Sequence, residues 1–223
     1  MESPTLLLTD QEIQDSFVQK LKAKKTLLWF AIISIIMLFG ALTSAYIVRQ
    51  AEGKWVQFEL PKMFIASTIV ILLSSIPMQW AVASAKKNNQ QNLKRALLLV
   101  ALLGSAFVAF QYVAWSELFS QGIAFAGQIK DIKGDYTYVR AGNESPSDIA
   151  SMGNVAGSFL YVITALHVLH LLAGIIVLII VFSHAYKGKY SSVNYNGLSM
   201  CATYWHFLDG LWVYLFFFLL YIR

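Results

Sequence analysis

Residues 158–183 read SFLYVITALHVLHLLAGIIVLIIVFS, twenty-six consecutive positions with no aspartate, glutamate, lysine or arginine. An α-helix rises about 1.5 Å per residue, so about 20 apolar residues cross the roughly 30 Å hydrocarbon layer of a bilayer. A helix at the surface of a soluble core would carry a polar face, and this stretch carries none. Four more long apolar blocks lie at 26–48, 63–85, 97–118 and 200–221. In lipid, backbone amides must find partners within the protein, and a continuous apolar block of this length does so as a helix. The fold class that follows is all-α, a polytopic membrane helix bundle with five transmembrane helices.

Composition agrees. Of 223 residues, 57% are hydrophobic and 13% charged, against about 25% charged in a typical soluble domain. The net charge of +5 comes from lysines beside the apolar blocks, not from a basic face with interleaved aromatics, so nucleic acid is not the expected partner. Cys201, the single cysteine, excludes an internal disulfide and reads as a small packing residue. No cleavable signal is expected, because the first block follows a long polar leader and exceeds a signal peptide's apolar core.

We divide the chain into a polar leader at 1–25 and a five-helix unit at 26–223. The leader carries Asp10, Glu12 and Asp15, then Lys20, Lys22, Lys24 and Lys25. A short surface helix over 8–21 is expected ahead of the first span. Pro77 falls inside the second block, where a membrane helix tolerates it. The third connection, 119–154, is the long one. With the N-terminus inside, the inner segments hold ten cations: Lys20, Lys22, Lys24, Lys25, Lys86, Lys87, Lys94, Arg95, Lys187 and Lys189. The outer segments hold seven: Arg49, Lys54, Lys62, Lys130, Lys133, Arg140 and Arg223. The positive-inside rule therefore puts the N-terminus in the cytoplasm and the C-terminus outside. Trp29, Trp80, Trp115 and Trp205 fall near expected span ends, as an aromatic belt would place them.

Polar side chains within apolar spans are costly unless partnered. His167 and His170 lie three apart on one helix face, as do His206 and Asp209. The expectation is an interhelical polar network of these four groups. The alternative, direct ligation of a haem or metal, needs ring nitrogens converging from several helices. Gln111 reads as an interhelical hydrogen-bonding group. Ser74 and Ser75, with Gly104 and Gly174, read as positions of close helix approach. No phosphate-binding loop, cysteine-rich metal motif or paired nucleophile and base is present, so catalytic residues are not assigned.

The run Tyr204-Trp205-His206-Phe207-Leu208-Asp209-Gly210-Leu211-Trp212 resembles the WHFVDxxW signature of haem-copper oxidase subunit III, the third subunit of cytochrome c oxidase and its relatives. Phe159, Thr164, His167, His170 and Gly174 resemble that family's F-x-x-x-x-T-G-x-H-G-x-H-V-x-x-G stretch, with Ala165 and Val168 at positions often held by glycine. Residues 67–75, ending in Ser74 and Ser75, are similar to its T-x-x-L-L-x-S-S run. Gly104, Phe107 and Gln111 carry its G-x-x-F-x-x-x-Q skeleton. Many members place a glutamate three residues after that glutamine; here the position is Ala114, and Glu117 stands three further on.

The resemblance implies the short bacterial form with five helices, since longer relatives carry two more at the N-terminus. It implies an accessory, non-catalytic subunit that binds no haem or copper itself. Those groups are expected in partner subunits, with subunit I in direct contact, subunit II in the same complex, and structural phospholipid in a cleft. The complex reduces dioxygen with electrons from cytochrome c and pumps protons across the bacterial inner membrane. Three other readings remain at this point: a subunit of a quinol oxidase or of a nitric-oxide-reductase relative, a small proton-coupled transporter using Asp209, and a self-contained cytochrome. We expect residues of the first two spans to contact subunit I.

Overall fold

The computed structural model describes residues 10–222 except 134, 140, 141, 143 and 144. Arg140 and Arg223, two of the outer cations, lie outside the described residues, as do residues 1–9 of the leader. The described residues form six α-helices: α1 (Asp10–Ala51), α2 (Met63–Lys86), α3 (Gln90–Ser120), α4 (Pro146–Ser151), α5 (Val155–Tyr186) and α6 (Asn196–Tyr221). All but α4 are long and apolar enough to cross a membrane. The chain is a multi-pass helical membrane protein.

Four spans close into a ring. The hairpin of α2 and α3 packs along its length, α3 meets α5, α5 meets α6, and α6 returns to α2. The fifth, α1, lies outside this ring against α5 and α6. It buries one stripe, Ile32, Ile35, Phe39, Thr43 and Tyr46, and leaves most of its other positions exposed. The three-and-four spacing of that stripe is the helical repeat.

Two features differ from the sequence expectation. Residues 10–21 of the expected separate surface helix are instead part of α1, which runs unbroken from Asp10 through the apolar block, while residues 8 and 9 lie outside the described residues. No glycine or proline interrupts 10–39, and leucine, lysine, alanine and glutamine all favour helix, so no physical stop falls at residue 25. Second, the connections at one end form a two-stranded antiparallel ribbon. Its strands are β1 (Trp55–Phe58) and β2 (Tyr136–Val139), with Trp55 opposite Val139 and Phe58 opposite Tyr136. Both strands are rich in aromatic and β-branched residues, which suit a pleated surface. Trp55 anchors the ribbon: it is buried and lies edge-on to Tyr46, 4.7 Å between ring centroids, beside Phe159 of α5.

At the other end, the basic turns are tied together. Asn88, in the left-handed conformation, receives the Ser192 amide at 2.7 Å and donates to the Ser192 hydroxyl at 3.2 Å. Gln90 donates to the Tyr190 carbonyl. Burial pushes the Tyr190 phenol up to about 12, with Cys201 adding to the rise. Lys86 and Lys94 sit over the rings of Tyr195 and Tyr186, at 5.6 and 4.7 Å. α2 continues through Pro77 without interruption.

Close approach within the ring depends on Gly104. A Cβ there would stand 2.8 Å from Cη2 of Trp205, which is fully buried and fixed at its indole nitrogen. Gly174 plays a milder part, its virtual Cβ 3.3 Å from the Tyr204 ring. We therefore expect Gly104→Ala to destabilise the purified chain by about 1–3 kcal/mol, the range for overpacking. Denaturant unfolding in detergent would measure it, and an unchanged midpoint would show that α3 and α6 can separate freely.

Candidate functional site

One local device recurs across the spans. A serine or threonine hydroxyl in a helix donates to a carbonyl one turn back, and its oxygen remains free to accept a second hydrogen bond. Five such oxygens accept from a side chain on another helix. Trp205 of α6 donates to Ser74 of α2 at 2.8 Å, and Ser74 donates to the Ile71 carbonyl. Trp212 of α6 donates to Thr68 at 2.9 Å, and Thr68 to the Phe64 carbonyl. Gln111 of α3 donates to Ser67 at 2.9 Å, and Ser67 to the same carbonyl. Trp115 of α3 reaches Thr164 of α5 at 3.1 Å, and Tyr214 of α6 reaches Thr43 of α1 at 3.1 Å. Five bonds thus link every spanning helix to at least one other.

The four groups expected in one network are distributed. His206 and Asp209 come together on Ser75 of α2: Ser75 Oγ donates to Asp209 Oδ2 at 2.5 Å and lies 3.1 Å from His206 Nδ1. Ser75 has one hydrogen for two neighbours. With that hydrogen given to Asp209, the His206 Nδ1–H must donate to Ser75, so Asp209 and the histidine tautomer are coupled. The direct His206–Asp209 separation is 4.0 Å. Asp209 is buried, with Oδ1 unpartnered among the described residues.

His170 does not join them. Its Nδ1 donates to the Leu166 carbonyl of its own helix at 2.7 Å, and its ring meets Phe39 at 5.8 Å. Its backbone carbonyl accepts from Tyr204 of α6 at 3.2 Å. His167 stands apart as well, fully buried in a cage of rings: Trp212 at 4.9 Å, Phe107 at 5.8 Å and Phe39 at 6.5 Å between centroids. Neither ring nitrogen of His167 has a hydrogen-bond partner among the described residues. Shared-face spacing located both histidines on one side of α5 but could not tell which neighbour each would meet.

The remaining motif residues all lie in or against this girdle. Phe107 packs edge-on to Trp212 at 4.9 Å, and Phe207 is half-buried against the core. Ser74, which the sequence marks as a small packing residue, is an acceptor for Trp205. Trp205 and Trp115, assigned to an aromatic belt, are instead interhelical donors, whereas Trp29 and Trp80 are the exposed pair. Ala114, at the position where many family members carry glutamate, is fully buried. Among the described residues, no three histidine, cysteine or carboxylate side chains gather closely enough to hold a metal ion.

This is a membrane-spanning bundle whose polar motif residues tie helix to helix. A sequence model described as Cytochrome c oxidase subunit III matches residues 135–223. Along most of its length the chain is similar to the probable cytochrome c oxidase subunit 3 of Nocardia farcinica, 25% identical over 89% of this chain and 86% of that protein. It is also similar to cytochrome c oxidase subunit 3 of Thermostichus vulcanus, 25% identical over 83% and 80%. The Homo sapiens cytochrome c oxidase subunit 3 is 30% identical over 67% of this chain, which spans 46% of that longer protein. The chain belongs to the cytochrome c oxidase subunit III family.

The Ser74–Trp205 bond gives a direct test. A double-mutant cycle of Ser74→Ala and Trp205→Phe, read by unfolding in detergent, is expected to give a coupling of about 0.6–1.7 kcal/mol, the range for interhelical bonds in membranes. Coupling near zero would remove the girdle as a source of stability. By contrast, His167→Phe loses no hydrogen bond and should change stability by less than about 1.5 kcal/mol. A collapse of the fold in that variant would assign His167 a polar partner.

Proposed function

We propose that this chain is an accessory, non-catalytic subunit of a proton-pumping cytochrome c oxidase in the bacterial cytoplasmic membrane. In this reading it packs beside the haem- and copper-bearing subunit I, with subunit II in the same complex, and supports electron transport from cytochrome c to dioxygen. The observation that carries the reading is the use to which the family-motif side chains are put. The tryptophans of the C-terminal signature, Gln111 and the motif serines and threonines bond helix to helix. His167 is enclosed by hydrocarbon rings, and His170 is bonded to its own backbone. Residues committed to holding a bundle together suit a subunit whose task is to support another chain.

The cation asymmetry supports an N-terminus in the cytoplasm and a C-terminus outside, with the ribbon on the outer side. Long apolar faces on α1, α2, α3 and α5 stay exposed outside the bundle and suit lipid tails or neighbouring helices, so bound phospholipid belongs to the proposal.

Recovery of the tagged chain in mild detergent tests the proposal. The expected product carries haem-copper subunits and consumes oxygen when reduced cytochrome c is supplied. Isolation as a lone, colourless bundle that takes up protons in vesicles would replace the oxidase reading with a transporter.

A further inference from the structure

The outer face of α6 carries a continuous stripe of exposed or half-exposed residues: Thr203, His206, Gly210, Tyr214 and Phe217. Their three-and-four spacing keeps them on one side of the helix. Two neighbours flank it, α2 through Ser75 and α1 through Thr43, which receives the Tyr214 hydroxyl. The stripe is notched, because a Cβ on Gly210 would meet no atom within 4 Å, and a missing side chain lets a second backbone come close.

His206 makes this surface unsuited to lipid alone. Its side chain is 36% exposed. Ten residues separate it from the start of α6 and fifteen from the end, so at 1.5 Å per residue it lies about 15 Å in from one end and about 22 Å from the other. That depth is within the hydrocarbon layer. Nδ1 is engaged with Ser75, while Nε2 has no hydrogen bond among the described residues. In either tautomer Nε2 is a donor or a bare acceptor, and acyl chains offer it no partner. An exposed, half-satisfied imidazole at this depth is costly unless another polypeptide completes it.

We propose that the α6 stripe through His206, Gly210 and Phe217 seats a transmembrane helix of the haem-bearing subunit, and that this helix brings a hydrogen-bonding side chain to His206 Nε2. The inference rests on the oxidase reading above and adds to it a face, a depth and a recognition chemistry. It differs from the sequence expectation in placing the contact on the last span, with the first two at its margins.

Site-specific photo-crosslinking in native membranes tests it. The photoreactive p-benzoylphenylalanine is placed singly at positions 203 and 217 on the stripe, and at 98 and 180 on exposed faces of α3 and α5. Adducts between this chain and the haem-bearing subunit are expected from 203 and 217 in clear excess over 98 and 180. Alongside, His206→Leu should lower the haem recovered per tagged chain in detergent, whereas His206→Gln, which keeps hydrogen-bonding capacity, should retain most of it. Equal or lipid-only adducts at all four positions, in membranes where the tagged chain still recovers an oxygen-consuming complex, would overturn the docking face and leave the oxidase reading intact. Failure to recover any haem-bearing partner from the unmodified chain would overturn both.

Discussion

The bundle depends on hydroxyl groups that serve two helices at once. A hydrocarbon environment offers no water to an indole N–H or a side-chain amide, so each must be bonded within the protein. A serine or threonine satisfies its own hydrogen on its own backbone and keeps an oxygen to offer across the interface. Because that hydroxyl is short and held near its helix, the donor must come from a long side chain. Tryptophan meets that need at three of the five links. The requirement for a large ring then propagates outward: Trp205 occupies the space that Gly104 leaves on α3, and Trp212 forms one wall of the His167 cage.

The arrangement gives the intramembrane histidines and the buried carboxylate separate settings within the bundle. His206, Ser75 and Asp209 are joined by hydrogen bonds, His170 is bonded to its own backbone, and His167 is held as an aromatic ring among others. The same residue type thus has three environments within two spans, and position in the helix ring decides which.

Much of this was legible in the sequence because hydrocarbon imposes a simple length rule. The starts and ends of α2 and α5 fall within a few residues of the apolar block edges, and the three-residue spacing that puts His206 and Asp209 on one helix face is the spacing at which both meet Ser75. What the sequence could not supply was the partner element. Ser74 and Ser75 read alike as small residues, yet one faces Trp205 and the other Asp209, a distinction set by the rotation of α2 against α6. The start of α1 was missed because good helix formers continue past the apolar edge. The ribbon was missed because its strands are four residues each and lie far apart in the chain; only the aromatic and β-branched runs at 55–58 and 136–139 hinted at it. Trp205 misled because closeness to an estimated span end does not distinguish an interfacial ring from a bonded interior one.

The β1–β2 ribbon sets an order on assembly. Its first strand emerges directly after α1, but its second is not made until α2, α3 and half of the following connection have been synthesised. Until then the loop that carries Trp55 lacks its opposite strand, and α5 and α6, the two helices on which α1 packs, do not yet exist. The first span therefore lacks both helices it packs on until the last third of the chain has been made. Topology is written from the N-terminus forward; closure runs from the C-terminus back.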